Sequence, residues 1–185
     1  MDARPGRVHR GGMDPVPPPD PPVDPARSRM MAAVRGKDTR PEMLVRRRLH
    51  AAGLRFRLHR RDLPGRPDLV LTRHRTVVLV HGCFWHGHAC RGGRLPRTRT
   101  AWWAAKIERN RARDHAVRAS LAGLGWRVVE VWECGLRDPA LVDALPALVR
   151  GADPAAFGLG QGSIVTVNDP IPSQLPTSCQ ISMPE

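Results

Sequence analysis

Between residues 80 and 90 the chain reads VHGCFWHGHAC, with three imidazoles, two thiols and an adjacent Phe-Trp pair in one short stretch. Cys83, His88 and Cys90 are spaced C-x4-H-x-C, and Cys134 stands just after the apolar run WRVVEVW, 126–132. Thiolate and imidazole are soft or borderline ligands. Four of them leave no coordination position for water, so the set predicts a closed structural zinc site if the two segments end side by side. Buried, inert cysteines are the competing reading, because a free cysteine packs as a small hydrophobe. Asp68 poses a separate question: in LPGRPDLVL it follows Pro67 and opens an apolar run. A carboxylate there is costly unless charge or hydrogen bonds compensate, which a hard cation such as Mg2+ would do. A turn aspartate capping its own backbone accounts for the same residue without any metal.

These side chains need elements to position them. A helix is expected over 25–34, and Asp38-Thr39 caps a second one that has Pro41 and Glu42 in its first turn and Gly53 just past its end. LRFRLH, 54–59, alternates apolar and basic residues as a half-buried strand does. DLVL, 68–71, and TVVLV, 76–80, flank the turn TRHR as a hairpin, so the histidine-rich stretch leaves directly from a strand end. A long helix should run from Thr100 to about Ala122, with Trp103, Ile107, Leu121 and Leu124 partly inward and Gly123 ending it. WRVVEVW follows as a buried strand, its Trp126 and Trp132 expected in the core. A last helix over 139–149 places Leu141, Leu145 and Leu148 at helical spacing. Alternating helices and strands predict a mixed α/β sheet flanked by helices.

With 185 residues the chain holds one domain of ordinary size plus tails. We expect a disordered Pro-rich leader over 1–25, a domain over 26–150 and a flexible tail over 151–185. The net charge is +13, almost all of it from arginine, since Lys37 and Lys106 are the only lysines. The planar guanidinium fork suits phosphate and base edges, which points to a nucleic acid partner, although an arginine-biased genome would write a similar composition. No apolar run approaches the roughly 20 residues of a membrane span, and MDARPGRVHRGG has no apolar signal core, so a cytoplasmic, nucleoid-associated protein is expected. Met13, Met30 and Met31 offer alternative starts.

From about Ser28 to Arg150 the sequence resembles the very short patch repair (Vsr) endonucleases. The resemblance rests on LPGRPDLVL, VHGCFWHGHAC, the TRT at 98–100 with WWAAKIERNRARD after it, and LGWRVVEVWECGLR at 124–137. It implies a variant of the PD-(D/E)xK nuclease fold and a Mg2+-dependent DNA endonuclease that nicks one strand beside a T·G mismatch left by deamination of 5-methylcytosine. Asp68 would bind Mg2+ together with the main-chain carbonyl of Val80. His86 would be the base for the attacking water, with Glu42 a supporting carboxylate and His81 a further active-site histidine. Cys83, His88, Cys90 and Cys134 would hold the structural Zn2+. Phe84, Trp85 and Trp103 would wedge into the DNA stack, and Asn110 and Asp114 would lie on the DNA-facing side of the long helix. A monomer acting on double-stranded DNA is implied, with a DNA cytosine methyltransferase as a candidate functional neighbour. Two alternatives stay in view: a zinc-stabilised DNA-binding module without catalysis, for which charge and aromatics suffice, and a nuclease attached to a restriction-modification system.

Overall fold

The computed structural model describes residues 36–157, the strand segment 164–167 and Arg29. The leader and the helix expected over 25–34 lie outside the described residues. Helix α1 (Arg40–Ala51) starts from a reciprocal cap. The Thr39 hydroxyl accepts the Glu42 backbone N–H at 3.4 Å, while Glu42 Oε2 accepts the Asp38 N–H at 3.1 Å. This satisfies donors that a helix N-terminus otherwise leaves open. Gly53 follows the helix at φ 75°, where a Cβ would be strained.

Five strands form one sheet in the order β1 (Arg57–Leu58), β2 (Leu69–Leu71), β3 (Thr76–His81), β4 (Arg127–Trp132) and β5 (Ile164–Val167). Only β3 and β4 run parallel. A parallel pair needs a long crossover, and the chain between them supplies it as α2 (Thr100–Gly123). α3 (Pro139–Arg150) follows β4, with Pro139 in its first turn and Asp138 as its cap.

Side chains alternate between two packed layers. Leu69, Leu71, Val78, Val129 and Val131 meet Val45 and Leu49 of α1 and Leu141, Leu145, Leu148 and Val149 of α3. Val70, Val77 and Val128 meet Leu121 of α2 on the other side. Both faces of β2 and β3 are covered, which is why DLVL and TVVLV read as continuous apolar runs rather than alternating ones. The expected mixed α/β sheet is therefore present, and among the described residues no helix is long and apolar enough to cross a membrane.

Several expectations are corrected. The strand read at 54–59 shrinks to Arg57–Leu58, because His59 turns to φ 46° and ends the extended run. The long helix does end at Gly123, with the left-handed turn two residues later at Gly125 (φ 75°), but Leu124 is exposed rather than inward. Trp126 and Trp132 are only half-buried, because the strand ends at the rim of the sheet where the cover of α2 and α3 stops. The segment read as a flexible tail contributes β5, which pairs antiparallel with β4 from Val128 to Val131. Its IVTV is a short β-branched run of the kind that adds to a sheet edge.

Leu145 is fully buried between α3 and the sheet. Leu145→Ala should cost about 2–5 kcal/mol, read as a lowered urea midpoint with unchanged slope.

Candidate active site and metal cluster

Every candidate residue sits at or near one rim of the sheet, where β2 begins and the parallel β3 and β4 end. His81 is the last residue of β3 and pairs in register with Trp132, the last of β4. The chain leaving β3 forms the 82–90 loop, and the chain leaving β4 reaches Cys134 within two residues. One sulfur or nitrogen from each of Cys83, His88, Cys90 and Cys134 lies within 4.8 Å of all the others. Cys134 Sγ is 3.5 Å from His88 Nδ1. Around a zinc-sized ion with ~2.3 Å sulfur bonds, tetrahedral ligands stand about 3.8 Å apart, inside that 4.8 Å limit, so the Cys3His set fits such an ion. The three cysteines are free thiols. The competing reading of inert, scattered cysteines is thus displaced by a cluster able to bind metal. Burial pushes the Cys83 thiol up to about 12, while the hydrogen bond with His88 lowers Cys90 to about 6. The loop is built to close tightly: a Cβ at Gly93 would stand 1.9 Å from the His88 carbonyl oxygen.

Beside this cluster the cleft is lined by His81, His86, Asp114, Arg118, Glu130 and Trp132, among others. The His86 Nδ1 is 2.5 Å from Asp114 Oδ2. Burial raises the Asp114 carboxyl, but the bond and charge of His86 outweigh it and hold the group below the usual carboxylate range. An ionised carboxylate only accepts, so His86 carries its proton on Nδ1 and offers Nε2 to the cleft. The His81 ring is 4.3 Å from that of His86, and its Nε2 is 3.1 Å from Glu130 Oε1. Trp132 forms the wall between the two clusters, 5.0 Å from the His81 ring and 4.4 Å from the His88 ring.

Asp68 caps the same rim from β2. Its Oδ2 accepts the Val80 N–H at 2.8 Å, and Oδ1 is 3.9 Å from His59 Nδ1. Burial raises the Asp68 carboxyl above its ordinary value, the Val80 bond opposes this, and the Glu42 charge adds to the rise. Glu42 is buried, 2.9 Å from Arg46, which also reaches Asp38 and His59. Asp68 is therefore not a turn residue capping itself; it is an inward carboxylate beside another one.

Two residues of α2 reach across to the 82–90 loop. Asp114 is turned to His86, and Asn110 Nδ2 donates to the Trp85 carbonyl at 2.8 Å, holding the loop. Phe84, Trp85 and Trp103 pack edge to face at 5.0–6.0 Å. Trp102 joins them and is the most exposed. Lys106 Nζ lies 5.1–5.6 Å from the rings of Trp85, Trp102 and Trp103. Sequence reading missed Glu130, Arg118, His59 and Arg46. Of these only Glu130 carried a signal, as the one charge inside an apolar strand.

A sheet rim that gathers two histidines, a desolvated carboxylate and an aromatic platform in a strongly basic chain suits hydrolysis of a nucleic acid, and the relatives place the chain among the DNA endonucleases, of the hydrolase class. Residues 22–92 match the family model described as DNA mismatch endonuclease Vsr. The type II nicking enzyme V.XorIIP of Xanthomonas oryzae pv. oryzae is 55% identical over 123 residues, 66% of this chain and 90% of that protein. The type II nicking enzyme V.NmeAIP of Neisseria meningitidis is 42% identical over 125 residues, 67% and 89%. The DNA mismatch endonuclease Vsr of Escherichia coli is 42% identical over 136 residues, 70% and 87%. The chain belongs to the Vsr family of DNA mismatch endonucleases.

Two outcomes follow from the geometry. Purified protein should carry about one equivalent of metal in the Cys3His cluster, and Cys134→Ala should lose it with a lowered melting temperature, both read by elemental analysis and calorimetry. Asp68 has a raised folded-state pKa, so its favourable contribution exists at low pH and is lost as pH rises through that value. At pH 7 in chelator, Asp68→Asn should raise the melting temperature, since the amide keeps the Val80 hydrogen bond and removes the desolvated charge.

Proposed function

We propose that this protein is a divalent-metal-dependent endonuclease that nicks one DNA strand beside a T·G mismatch, on a variant PD-(D/E)xK fold. The observation that carries the reading is the meeting of Asp68 with the His81 and His86 pair at one end of the sheet. Hydrolysis of a phosphodiester forms one P–O bond to water, breaks the bond to the leaving sugar oxygen and requires a proton acceptor. His86 Nε2 is the acceptor, oriented by Asp114.

Asp68 and the Val80 carbonyl are hard oxygen donors suited to Mg2+. The Val80 N–H points toward Asp68, while the His81 carbonyl accepts Glu133 N–H on the other side; strand alternation therefore turns the Val80 carbonyl toward Asp68 as well. A Mg2+ held by Asp68 and the Val80 carbonyl would supply positive charge against the phosphate and the leaving oxygen. Glu42 adds negative charge to that corner and Arg46 keeps it in place. The Cys3His cluster holds Zn2+ in a structural role, since all four positions are protein donors.

Phe84, Trp85 and Trp103 form the wedge, joined by Trp102, with Lys106 placed to meet phosphate. Unstacking costs less at a mismatch than in paired DNA, so a rigid wedge selects for the weak step. Asn110 and Asp114 serve the DNA-facing site by fixing the wedge loop and the base rather than by contacting DNA. The domain spans 26–150 with β5 added, works as a monomer in the cytoplasm and associates with the nucleoid. A cytosine methyltransferase, alone or within a restriction-modification system, would place the 5-methylcytosine whose deamination leaves the T·G mismatch. The likeness to type II nicking enzymes favours a restriction-modification setting.

Asp68→Asn and His86→Ala should bind a T·G duplex near wild-type affinity yet nick it about 10²–10⁴-fold more slowly, measured by gel assay in Mg2+ against a T·A control. Near-wild-type cleavage by Asp68→Asn would sink the mechanism. Wild-type binding without any nicking would support the non-catalytic DNA-binding module.

A further inference from the structure

Glu130 lies in the middle of β4, on the face that looks toward α2, in a row otherwise made of Val128 and Trp132. It is 2% exposed. A carboxylate in that position is costly to desolvate, and a buried ion pair is weak evidence of a purely stabilising role. Yet both oxygens are used. Oε2 accepts Arg118 Nη1 at 2.8 Å, and Oε1 is 3.1 Å from His81 Nε2. Arg118 comes from α2, so the pair ties the crossover helix to the central strand.

The contact with His81 has one chemical sense. A carboxylate paired with a guanidinium is an acceptor, so Nε2 carries the proton toward it, and in the neutral ring Nδ1 is then the acceptor. Among the described residues Nδ1 makes no hydrogen bond, and the ring lines the cleft 4.3 Å from that of His86. The neighbouring dyad is the mirror case, in which Asp114 holds His86 by Nδ1 and leaves Nε2 open. The two rings thus present opposite nitrogens as acceptors to one space.

We infer that Glu130, braced by Arg118, is a positioning residue that fixes His81 with Nδ1 toward the reacting phosphate. Glu130 touches no substrate. It acts through His81, whose Nδ1 accepts a hydrogen bond from water at the phosphate beside the water deprotonated by His86. The inference rests on the endonuclease reading above.

The test combines single-turnover nicking of a T·G duplex in Mg2+, duplex affinity, and long-range ¹H–¹⁵N NMR of the full chain to read the His81 tautomer. In wild type His81 should be the Nε2–H form. Glu130→Gln, whose amide oxygen can still accept from Nε2 while its NH2 opposes Arg118 and gives up that brace, should nick faster than Glu130→Leu and within about tenfold of wild type. Glu130→Leu should slow nicking about 10–100-fold with affinity unchanged. In the His81→Ala background Glu130→Leu should cause no further loss, because its only route is through that ring. Three results would overturn the inference: wild-type rates for Glu130→Leu, a full additive loss on top of His81→Ala, or an Nδ1–H tautomer in wild type. If Glu130→Leu fails to fold, the wild-type tautomer and the Glu130→Gln rate still decide. A wild-type chain that nicks no T·G duplex would remove the endonuclease reading instead, with the tautomer still deciding how His81 is held.

Discussion

The parallel pairing of β3 with β4 is the constraint on which the rest of the molecule depends. It sets Leu79 opposite Glu130 and His81 opposite Trp132, so the two strands end level with each other. Because they end level, the loops that follow leave the sheet from adjacent points, and thiols far apart in sequence come within reach of one imidazole. The same register places Glu130 and His81 on one face. A slip of one residue would send every side chain of one strand to the opposite layer, parting Glu130 from His81 and burying the wrong valines. Chemistry and core packing are therefore specified by a single alignment. The α2 crossover enforces it, since a parallel pair cannot be closed by a short turn.

Charge is distributed in a way the net value of +13 conceals. Several acids around the site are each held by a basic partner. Arg46 holds Glu42 and Asp38, His86 holds Asp114, and Arg118 holds Glu130. Asp68 is the exception. Its nearest basic group is His59 at 3.9 Å, and burial raises its carboxyl where Asp114 is lowered. Two carboxylates on one rim thus have opposite tendencies, one settled by a histidine and the other calling for a cation.

The aromatic platform shares its supports with both clusters. The loop that carries Phe84 and Trp85 is anchored by Cys83 on one side and by Asn110 on the other. Gly87 turns it at φ 63° against α2, where a Cβ would stand 2.6 Å from Ile107. In the proposed wedge role, rings held so tightly would lose little freedom on entering a base stack, which would keep the cost of insertion on the DNA side.

The sequence by itself determined much. Apolar runs and Gly/Pro punctuation placed both halves of the central hairpin, the long helix and the last helix, because burial on both faces leaves a local mark. The grouping of Cys83, His88, Cys90 and Cys134, which the structure brings within 4.8 Å, was legible from thiol and imidazole chemistry, whereas at Asp68 the sequence left a metal-binding carboxylate and a self-capping turn residue side by side. Local pattern is silent about what crosses between elements. Nothing in the spacing of His86 and Asp114, or of His81 and Glu130, announces a pair, since each joins segments separated by a helix or strand. Trp132 read as core because strands bury tryptophan, whereas its place at the rim made it a wall between two clusters. β5 escaped notice because a four-residue β-branched run becomes a strand only when an open sheet edge exists to receive it. Tertiary structure decided which acids orient which rings, because orientation depends on the register of the sheet and the path of α2, and neither is encoded within any one segment.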